Sequence, residues 1–418
     1  MDIFDGKKFL IYGGGISGKA AFDAVERRGG RAVIFNDVDG AFSVPSGDDY
    51  DLAVISPGIR PTHPIYTYCA DRGIPVIGEA ELGFRLATCR IVGVTGTNGK
   101  TTVTRLIAEM TGGVACGNIG YPITEAVGQK SKLLVCELSS FQLREADIAP
   151  DVAVITNITA DHIDWHGSAE EYYRCKCMIA NGMTGGYLVL GENVPIAALA
   201  TLRTGAQILR CATDRPVDGA YTQGGYFWFG GKRVCPIDYF RLNGRHNVSN
   251  ALCAVAAAKC VGADNSQILT ALSRAVAAPH RLENAGRAVG KRWIDDSKST
   301  NVSSCLAAVE ATAGRICLIT GGRDKGLDFA ELFGALPEKA TEVIAMGECA
   351  VKIERAAATA GRRVTVVKNL AAAVEAAARS DADTVLLSPA CASFDEFGNY
   401  AERGEAFKAE VARLGAEK

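Results

Sequence analysis

The chain has 418 residues, a length that suggests about two to four domains and not one large core. Hydrophobic residues make up 48% of the chain and charged residues 22%, which indicates a folded protein and excludes a disordered or fibrous one. The 45 basic and 47 acidic residues leave a net charge of −2. No basic excess therefore points to nucleic acid or to an anionic membrane surface as a partner.

The amino terminus shows none of the features of a secretion signal. Polar residues run into a short apolar stretch at 9–12, without a basic head or a long apolar run. No apolar run reaches the roughly 18 residues that a membrane-spanning helix needs. The 14 cysteines are spread along the chain and form no Cys-x-x-Cys pair, as expected of reduced thiols. We therefore expect a cytoplasmic protein without membrane contact.

Strand and helix patterns alternate along the chain in three blocks. Strands are predicted in the first block at 7–12, 32–35, 52–55 and 74–77, and in the second at 91–94, 133–136, 152–156 and 187–190. The second block continues with hairpins at 213–239 and an Ala-rich helix at 247–260, and the third has strands at 293–294, 316–320, 343–346, 364–367 and 385–388. Strands that alternate with helices form parallel sheets, which predicts three consecutive α/β domains at 1–89, 90–278 and 279–418.

The first chemical motif is a glycine cluster after the first strand. Gly13, Gly15 and Gly18 fit the pattern G-x-G-x-x-G, and Asp37 follows at the end of the next strand. Glycines let the backbone approach a diphosphate, and the helix that follows offers N–H donors. The motif predicts a nucleotide or dinucleotide site. The alternative is a tight turn that serves only strand–helix packing.

A second glycine loop opens the middle block, between a strand and a helical pattern. It contains Gly96, Thr97, Asn98, Gly99, Lys100, Thr101 and Thr102. A flexible backbone, a lysine and a hydroxyl are what a nucleoside triphosphate with Mg²⁺ requires. The strict phosphate-loop spacing fails by one position, because Val94 stands where its first glycine belongs. We still predict ATP or GTP binding over the alternative of a solvated turn.

Acidic and imidazole groups follow the next strands of this block. Glu137 ends one strand, and the segment 161–164, which includes His162, follows another. Strand ends of this kind carry the ligands of open α/β sheets, so these groups are candidates for a divalent metal shell. Taken singly, Glu137 could be a cap and His162 a satisfied polar residue. Lys176 lies on a helix just downstream, where most lysines are solvated.

Three polar loops follow strands of the third block. They span 295–301, 321–326 and 388–394. Loops at the carboxyl ends of one sheet predict a site for a small anionic molecule. The alternative is the ordinary chemistry of turns.

These motifs together resemble the Mur ligases of peptidoglycan synthesis, over essentially the whole chain. The loop 96–102 is typical of that superfamily, and the segments 296–301, 388–393 and 56–59 resemble its D-glutamate-adding branch. The resemblance implies a Rossmann-like first domain, a phosphate-loop ATPase as the second and a Rossmann-like third. It also implies ATP-dependent amide formation through an acyl phosphate, with UDP-N-acetylmuramoyl-L-alanine, D-glutamate and ATP as substrates, Mg²⁺ as cofactor and a monomeric enzyme.

The resemblance also implies roles for individual residues. The nucleotide-sugar would contact Ile16, Ser17, Asp37, Ser56, Pro57, Gly58 and Asn118. ATP would contact the loop 96–102 with Asn250, Arg281 and Asp296. D-glutamate would contact Lys298, Thr300, Lys325, Ser393, Phe394 and Tyr400, the last standing where a Phe is expected. Thr101 and Glu137 would hold one Mg²⁺, and His162 with a carbamoylated Lys176 a second, so that Lys100, Lys176, His162 and Glu137 form the catalytic group.

Three other functions compete with this interpretation. An NAD-dependent oxidoreductase would explain the motif at 13–18 and Asp37, but not the loop 96–102 or Glu137. A nucleotide-regulated binding protein would bind ATP without consuming it in synthesis. A folate polyglutamate ligase would share the phosphate loop but should lack the first domain.

Overall fold

The computed structural model describes residues 4, 6–44, 49–129, 131–144, 146–200 and 202–416. They belong to two compact units. The first comprises 1–160, 165–241 and 248–275, and the second 161–164, 242–247 and 276–418. Across the described ranges, none of the helices combines the length and the apolar character needed to cross a bilayer.

The first sheet lies in the first unit and has four parallel strands. Its elements are β1 (Lys8–Tyr12), α1 (Ile16–Glu26), β2 (Arg31–Phe35), β3 (Leu52–Ile55), α2 (Pro64–Asp71), β4 (Val76–Gly78) and α3 (Glu79–Leu86). The strand order is β2-β1-β3-β4, so the order reverses between β1 and β3. Ligands of open parallel sheets bind at such a reversal, outside the carboxyl ends of the strands.

The second sheet, also in the first unit, has nine strands. Its strands are β5 (Arg90–Thr95), β6 (Val114–Gly117), β7 (Leu133–Glu137), β8 (Val152–Ile155), β9 (Tyr187–Leu190), β10 (Gln207–Ala212), β11 (Gly219–Gln223), β12 (Tyr226–Phe229) and β13 (Lys232–Pro236). Its helices are α4 (Lys100–Thr111), α5 (Ile123–Ala126), α6 (Ser140–Leu143), α7 (Ile163–His166), α8 (Ala169–Cys177), α9 (Ile196–Leu199), α10 (Arg245–Cys260) and α11 (Asn265–Arg274). The order is β13-β12-β11-β10-β9-β8-β5-β7-β6, with β12 and β13 antiparallel to their neighbours.

The third sheet lies in the second unit and has six strands. Its elements are β14 (Glu283–Ala288), β15 (Lys291–Asp295), α12 (Val302–Ala311), β16 (Ile316–Gly321), α13 (Phe329–Ala335), β17 (Ala340–Met346), α14 (Ala350–Thr359), β18 (Thr365–Val366), α15 (Leu370–Ala378), β19 (Thr384–Leu387) and α16 (Tyr400–Ala416). The order is β14-β15-β19-β16-β17-β18, and only β14 among these described strands pairs antiparallel.

Central strands of the second and third sheets are buried on both faces. All residues of β7, β8 and β16 are buried, because helices cover both sides of a parallel sheet. The three-domain α/β fold class is therefore confirmed. The sheets span 8–78, 90–236 and 283–387, and the domain boundaries near 89 and 278 stay a prediction.

Candidate active site

The loop between β5 and α4 is anchored by the segment that follows β8. The backbone N–H of Thr97 donates to the carbonyl of Asn157 at 2.9 Å, and the Thr156 hydroxyl donates to the carbonyl of Asn98 at 2.6 Å. At Gly96, where φ is +146°, a Cβ would lie 1.9 Å from the Thr156 hydroxyl oxygen. Only glycine fits there, and the loop keeps the open backbone that phosphate binding requires.

Asn250, predicted to bind ATP, packs against the same loop. Gly99 caps α4 with a φ of +82°, and a Cβ on it would lie 2.1 Å from the Asn250 side-chain oxygen. The absence of a side chain at Gly99 therefore makes room for the amide of Asn250. This contact brings two predicted ATP ligands together, although 151 residues separate them in the sequence.

Replacing Gly99 with Ala is expected to weaken ATP binding about tenfold or more, because the methyl group displaces Asn250 and the left-handed backbone costs about 1 kcal/mol. Gly185→Ala is the matched control, since no atom lies within 4 Å of a Cβ built there. Calorimetric titration with an ATP analogue measures both variants. Equal affinities for Gly99→Ala and Gly185→Ala would contradict the prediction.

Two lysines converge on one carbonyl of this loop. The Lys100 ammonium donates to the carbonyls of Gly96 at 2.8 Å and Thr97 at 2.9 Å. The Lys176 ammonium donates to the carbonyl of Gly96 at 2.7 Å and lies 4.6 Å from the centre of the Tyr172 ring. Lys176 is only 1% exposed, so the alternative of a solvated helix lysine is wrong. The structure thus brings together two of the four predicted catalytic residues.

Glu137 carries a buried carboxylate at the end of β7, beside β5. Its Oε1 accepts a hydrogen bond from the Asn118 amide at 3.1 Å. Its Oε2 is buried and has no hydrogen-bond partner among the described residues. A buried carboxylate oxygen without a donor is costly unless a cation satisfies it. The site therefore fits a divalent metal, for which hard oxygen donors such as Glu137 and the Thr101 hydroxyl are suitable ligands.

The segment with His162 belongs to the second unit. Asp161 is 5% exposed; it accepts from the Asn301 amide at 3.1 Å and lies 3.8 Å from the Lys325 ammonium. Burial raises the pKa of Asp161, but the charges of His162 and Lys325, together with the hydrogen bonds from Asn301 and the His162 N–H, outweigh burial and hold the pKa below its ordinary value. The segments of Asp161 and Asn301 were each predicted to be functional, but their contact was not predicted, because it spans 140 residues.

The predicted nucleotide-sugar residues lie at the carboxyl edge of the first sheet. The Ser56 hydroxyl donates to the carbonyl of Gly13 at 2.9 Å, and the N–H of Gly14 donates to the Asn36 side chain at 2.6 Å. Ile16 and Ser17 are the first two residues of α1. These contacts place the glycine loop against the ends of β2 and β3, beside the reversal in strand order.

A cavity in the first unit extends from this edge toward aromatic side chains after β7. Ser56 and Pro57 line one part of it, and Phe141, Arg144 and Trp165 line another. The rings of Phe141 and Trp165 are 4.5 Å apart, and the Arg144 guanidinium lies 5.9 Å from the Trp165 ring centre. Sequence reasoning missed these three residues, because an isolated aromatic or arginine side chain gives no signal that distinguishes a cavity wall from the core or the surface.

The three polar loops of the third sheet meet as predicted, since β15, β19 and β16 are neighbours. Asp296 is fully buried; it accepts from the Ser388 hydroxyl at 2.8 Å and from the Ser299 hydroxyl. Arg281 donates to Ser299 at 2.9 Å and lies 3.7 Å from Asp296. Burial raises the pKa of Asp296 in spite of Arg281 and these hydrogen bonds.

Arg403 on α16 ties two of these loops together. Its guanidinium donates to the carbonyls of Ser297, Cys391 and Ala392 at 2.9, 3.0 and 3.2 Å. The side chain is 1% exposed, and burial lowers the pKa of Arg403 to about 10. An arginine on an amphipathic helix is indistinguishable by sequence from a solvated one, so this residue was missed.

The predicted D-glutamate residues all lie in the second unit. The Lys298 ammonium is 5.4 Å from the centre of the Tyr400 ring, and that ring packs edge-on against His280 at 6.2 Å. Ser393 is buried, whereas Phe394 is 67% exposed. Thr300 lies in the loop after β15 and is half-buried. Lys298 and Tyr400 are thus brought together, and Lys325 lies beside Asp161.

Comparison with known proteins supplies the family. Residues 94–258 match the Mur ligase middle domain, and residues 280–391 match the Mur ligase glutamate ligase domain. A UDP-N-acetylmuramoylalanine--D-glutamate ligase of Streptococcus pneumoniae (strain P1031) is 36% identical, over 99% of this chain and 99% of its own. A protein of the same name from Streptococcus thermophilus (strain CNRZ 1066) is 38% identical, over 88% of this chain and 84% of its own.

Solved structures share the fold at lower identity. The UDP-N-acetylmuramate-alanine ligase of Thermotoga maritima superposes with a TM-score of 0.63 at 18% identity, covering 99% of this chain and 100% of its own. The folylpolyglutamate synthase of Mycobacterium tuberculosis, solved with ADP and AMPPCP, superposes with a TM-score of 0.56 at 18% identity, covering 78% of this chain and 92% of its own. These likenesses show the α/β architecture alone.

Proposed function

Because this chain belongs to the Mur ligase family, among the UDP-N-acetylmuramoylalanine--D-glutamate ligases, we propose that it adds D-glutamate to UDP-N-acetylmuramoyl-L-alanine at the expense of ATP. The reaction belongs to peptidoglycan precursor synthesis, and we place it in the cytoplasm. The observation that carries the proposal is the loop 96–102, with two lysines on its Gly96 carbonyl, beside the partnerless Glu137 oxygen. The alternative of an NAD-dependent oxidoreductase does not explain this loop or the buried Glu137 carboxylate.

We assign the three substrates mainly to the carboxyl edges of the three sheets, one substrate to each. The glycine loop at 13–18 with Asp37, Ser56, Pro57 and Gly58 binds the uridine diphosphate, and Asn118 contacts the sugar. The loop 96–102 and Asn250 bind ATP, with Arg281 on its phosphate and Asp296 on its ribose. The polar loops of the third sheet bind D-glutamate, because Lys298, Lys325, Thr300 and Ser393 offer donors to its two carboxylates.

The chemistry needs an activated carboxylate. An amine cannot displace an oxygen from a carboxylate, so the L-alanine carboxylate first takes the γ-phosphoryl group of ATP and becomes an acyl phosphate. The amine of D-glutamate attacks the acyl carbon, and the tetrahedral intermediate expels phosphate as the amide forms. Lys100 neutralises charge on the β- and γ-phosphates during transfer, and the loop backbone holds them in line.

Two metal positions accompany this chemistry, and we propose Mg²⁺ for both. Thr101 and Glu137 would hold one ion, and His162 with a carbamate on Lys176 would hold the other. When bound, the ions lower the negative charge that opposes phosphoryl transfer. Hard oxygen ligands suit Mg²⁺, and the buried Oε2 of Glu137 is such a ligand.

Phosphate release is expected to require ATP, Mg²⁺ and UDP-N-acetylmuramoyl-L-alanine, and to yield an amide only with D-glutamate. The reason is that the γ-phosphoryl group is transferred to the L-alanine carboxylate first, and the amino acid binds in a separate set of loops. A coupled phosphate assay with mass spectrometry of the product measures this, with L-glutamate as the matched control. Equal use of L-glutamate, or turnover without the nucleotide-sugar, would overturn the proposed function.

A further inference from the structure

Two side chains from other elements hold the carboxylate of Asp37. The hydroxyl of Tyr12, the last residue of β1, donates to Asp37 Oδ1 at 2.5 Å. The Nε2 atom of His63, the residue before α2, lies 3.1 Å from Oδ1 and 3.2 Å from Oδ2. The carboxylate therefore has protein partners before any ligand arrives.

The tautomer of His63 follows from its second contact. The backbone N–H of Ile65 donates to His63 Nδ1 at 3.2 Å, and this bond caps the amino terminus of α2. A nitrogen that accepts carries no proton, so the proton of the neutral ring sits on Nε2. His63 consequently donates to Asp37 and cannot accept from it.

The surroundings keep these roles fixed. The His63 ring packs 5.1 Å from the Tyr12 ring and 5.8 Å from the Phe42 ring, between centroids. Burial and the neighbouring carboxylate raise the pKa of Tyr12 to about 12, so its hydroxyl keeps its proton. The hydrogen bond from Tyr12 lowers the pKa of Asp37, which stays an anion. Asp37 remains 36% exposed, whereas the His63 side chain is 18% exposed.

We propose that His63 and Tyr12 are positioning residues that hold Asp37 as a fixed hydrogen-bond acceptor for the nucleoside of the nucleotide-sugar, an inference that rests on the proposed function. A carboxylate anion only accepts hydrogen bonds, so its partner on the ligand must be a hydrogen-bond donor. Uridine offers the N3–H of its base and the hydroxyls of its ribose. Cytidine has a lone pair at N3 and would meet repulsion from the carboxylate. His63 and Tyr12 thus contribute to selection of a uridine nucleotide where the base N3–H is the donor, and of a ribonucleotide where a ribose hydroxyl is the donor.

Two substitutions at one position separate positioning from folding. His63→Asn keeps an acceptor near Nδ1, and asparagine is among the best helix N-caps, but its short side chain offers no donor at the Nε2 position. His63→Gln places an amide N–H near the Nε2 position and gives up the good cap. Tyr12→Phe removes the second donor while it keeps the ring that packs against His63.

His63→Asn and Tyr12→Phe are expected to raise the KM for UDP-N-acetylmuramoyl-L-alanine roughly tenfold, as loss of one charge-assisted hydrogen bond does, with kcat unchanged. His63→Gln is expected to keep a KM close to wild type while its melting temperature falls by about 2–4 °C. If the role of His63 is purely structural, the KM follows the melting temperature instead. The less stable His63→Gln then has the higher KM, and His63→Asn has a KM close to wild type.

Competition by nucleotides tests the acceptor directly. If the base N3–H is the donor, UDP should compete with the substrate roughly tenfold better than CDP in the wild type. If a ribose hydroxyl is the donor, UDP should compete roughly tenfold better than 2′-deoxy-UDP. His63→Asn should remove whichever preference the wild type shows. Equal inhibition by all three nucleotides, or an unchanged KM in His63→Asn, overturns the inference while wild-type turnover keeps the proposed function intact. Absence of wild-type turnover with the UDP-sugar overturns the proposed function itself.

Discussion

Lys100→Ala is expected to lower kcat by about a hundredfold to a thousandfold or more, because it removes the charge-assisted contact to the transferring phosphoryl group. The fold should survive. In the structure Lys100 donates to the loop carbonyls of Gly96 and Thr97, and losing these two bonds costs about 1 kcal/mol of unfolding free energy each. Phosphate release and thermal denaturation, measured on the same preparation, separate the two effects.

Lys132→Ala is the matched control for Lys100→Ala. Lys132 is exposed and stands just before β7, at the amino end of that strand, whereas the loop 96–102 follows the carboxyl end of the neighbouring β5. Its loss should leave kcat and melting temperature unchanged. A Lys100→Ala enzyme with the kcat of Lys132→Ala would show that the triphosphate binds elsewhere.

Lys176→Ala is expected to be nearly inactive and to regain part of its rate on addition of acetate or formate. The lysine amine, with an ordinary pKa of about 10.4, is not a metal ligand while protonated. Its neutral form attacks the carbon of carbon dioxide and releases one proton, which leaves a carbamate with a negative oxygen. That oxygen is a hard ligand of the kind Mg²⁺ prefers, and a small carboxylate added to the alanine variant can take its position.

Burial makes a second variant necessary for Lys176. Because the side chain is 1% exposed, Lys176→Ala leaves a cavity and can lose activity by unfolding alone. Lys176→Met keeps the volume and cannot form a carbamate. We expect this variant to remain folded and inactive. After incubation with carbon-13-labelled bicarbonate, we expect an NMR signal from a carbamate carbon in the wild type but not in Lys176→Met. Full activity of Lys176→Met would show that no carbamate is needed.

Local patterns predicted most of the described strands and missed a few, among them β6 and β14. The predicted strands 52–55 and 187–190 match the observed bounds, because each is a short apolar run with polar or glycine neighbours. β6 was missed, since the three residues between Gly113 and Gly117 look like part of a turn. β14 was missed as well, because its sequence ENAGRA has no apolar residue larger than alanine and lies on an antiparallel edge. Such strands exist through pairing with a neighbour, which a single segment does not reveal.

The sequence by itself determined the three α/β blocks and the chemical character of their loops, because strand periodicity and the spacing of glycine and polar residues within a loop are local properties. Tertiary structure alone decided which side chains meet. Lys176 reaches the Gly96 carbonyl across 80 residues, and Asp161 meets Asn301 across 140. Those contacts depend on strand order and on helix packing, and neither is encoded in the spacing of residues along one segment. For the same reason the buried Arg403 and the donors around Asp37 carry no signal until the sheets are assembled.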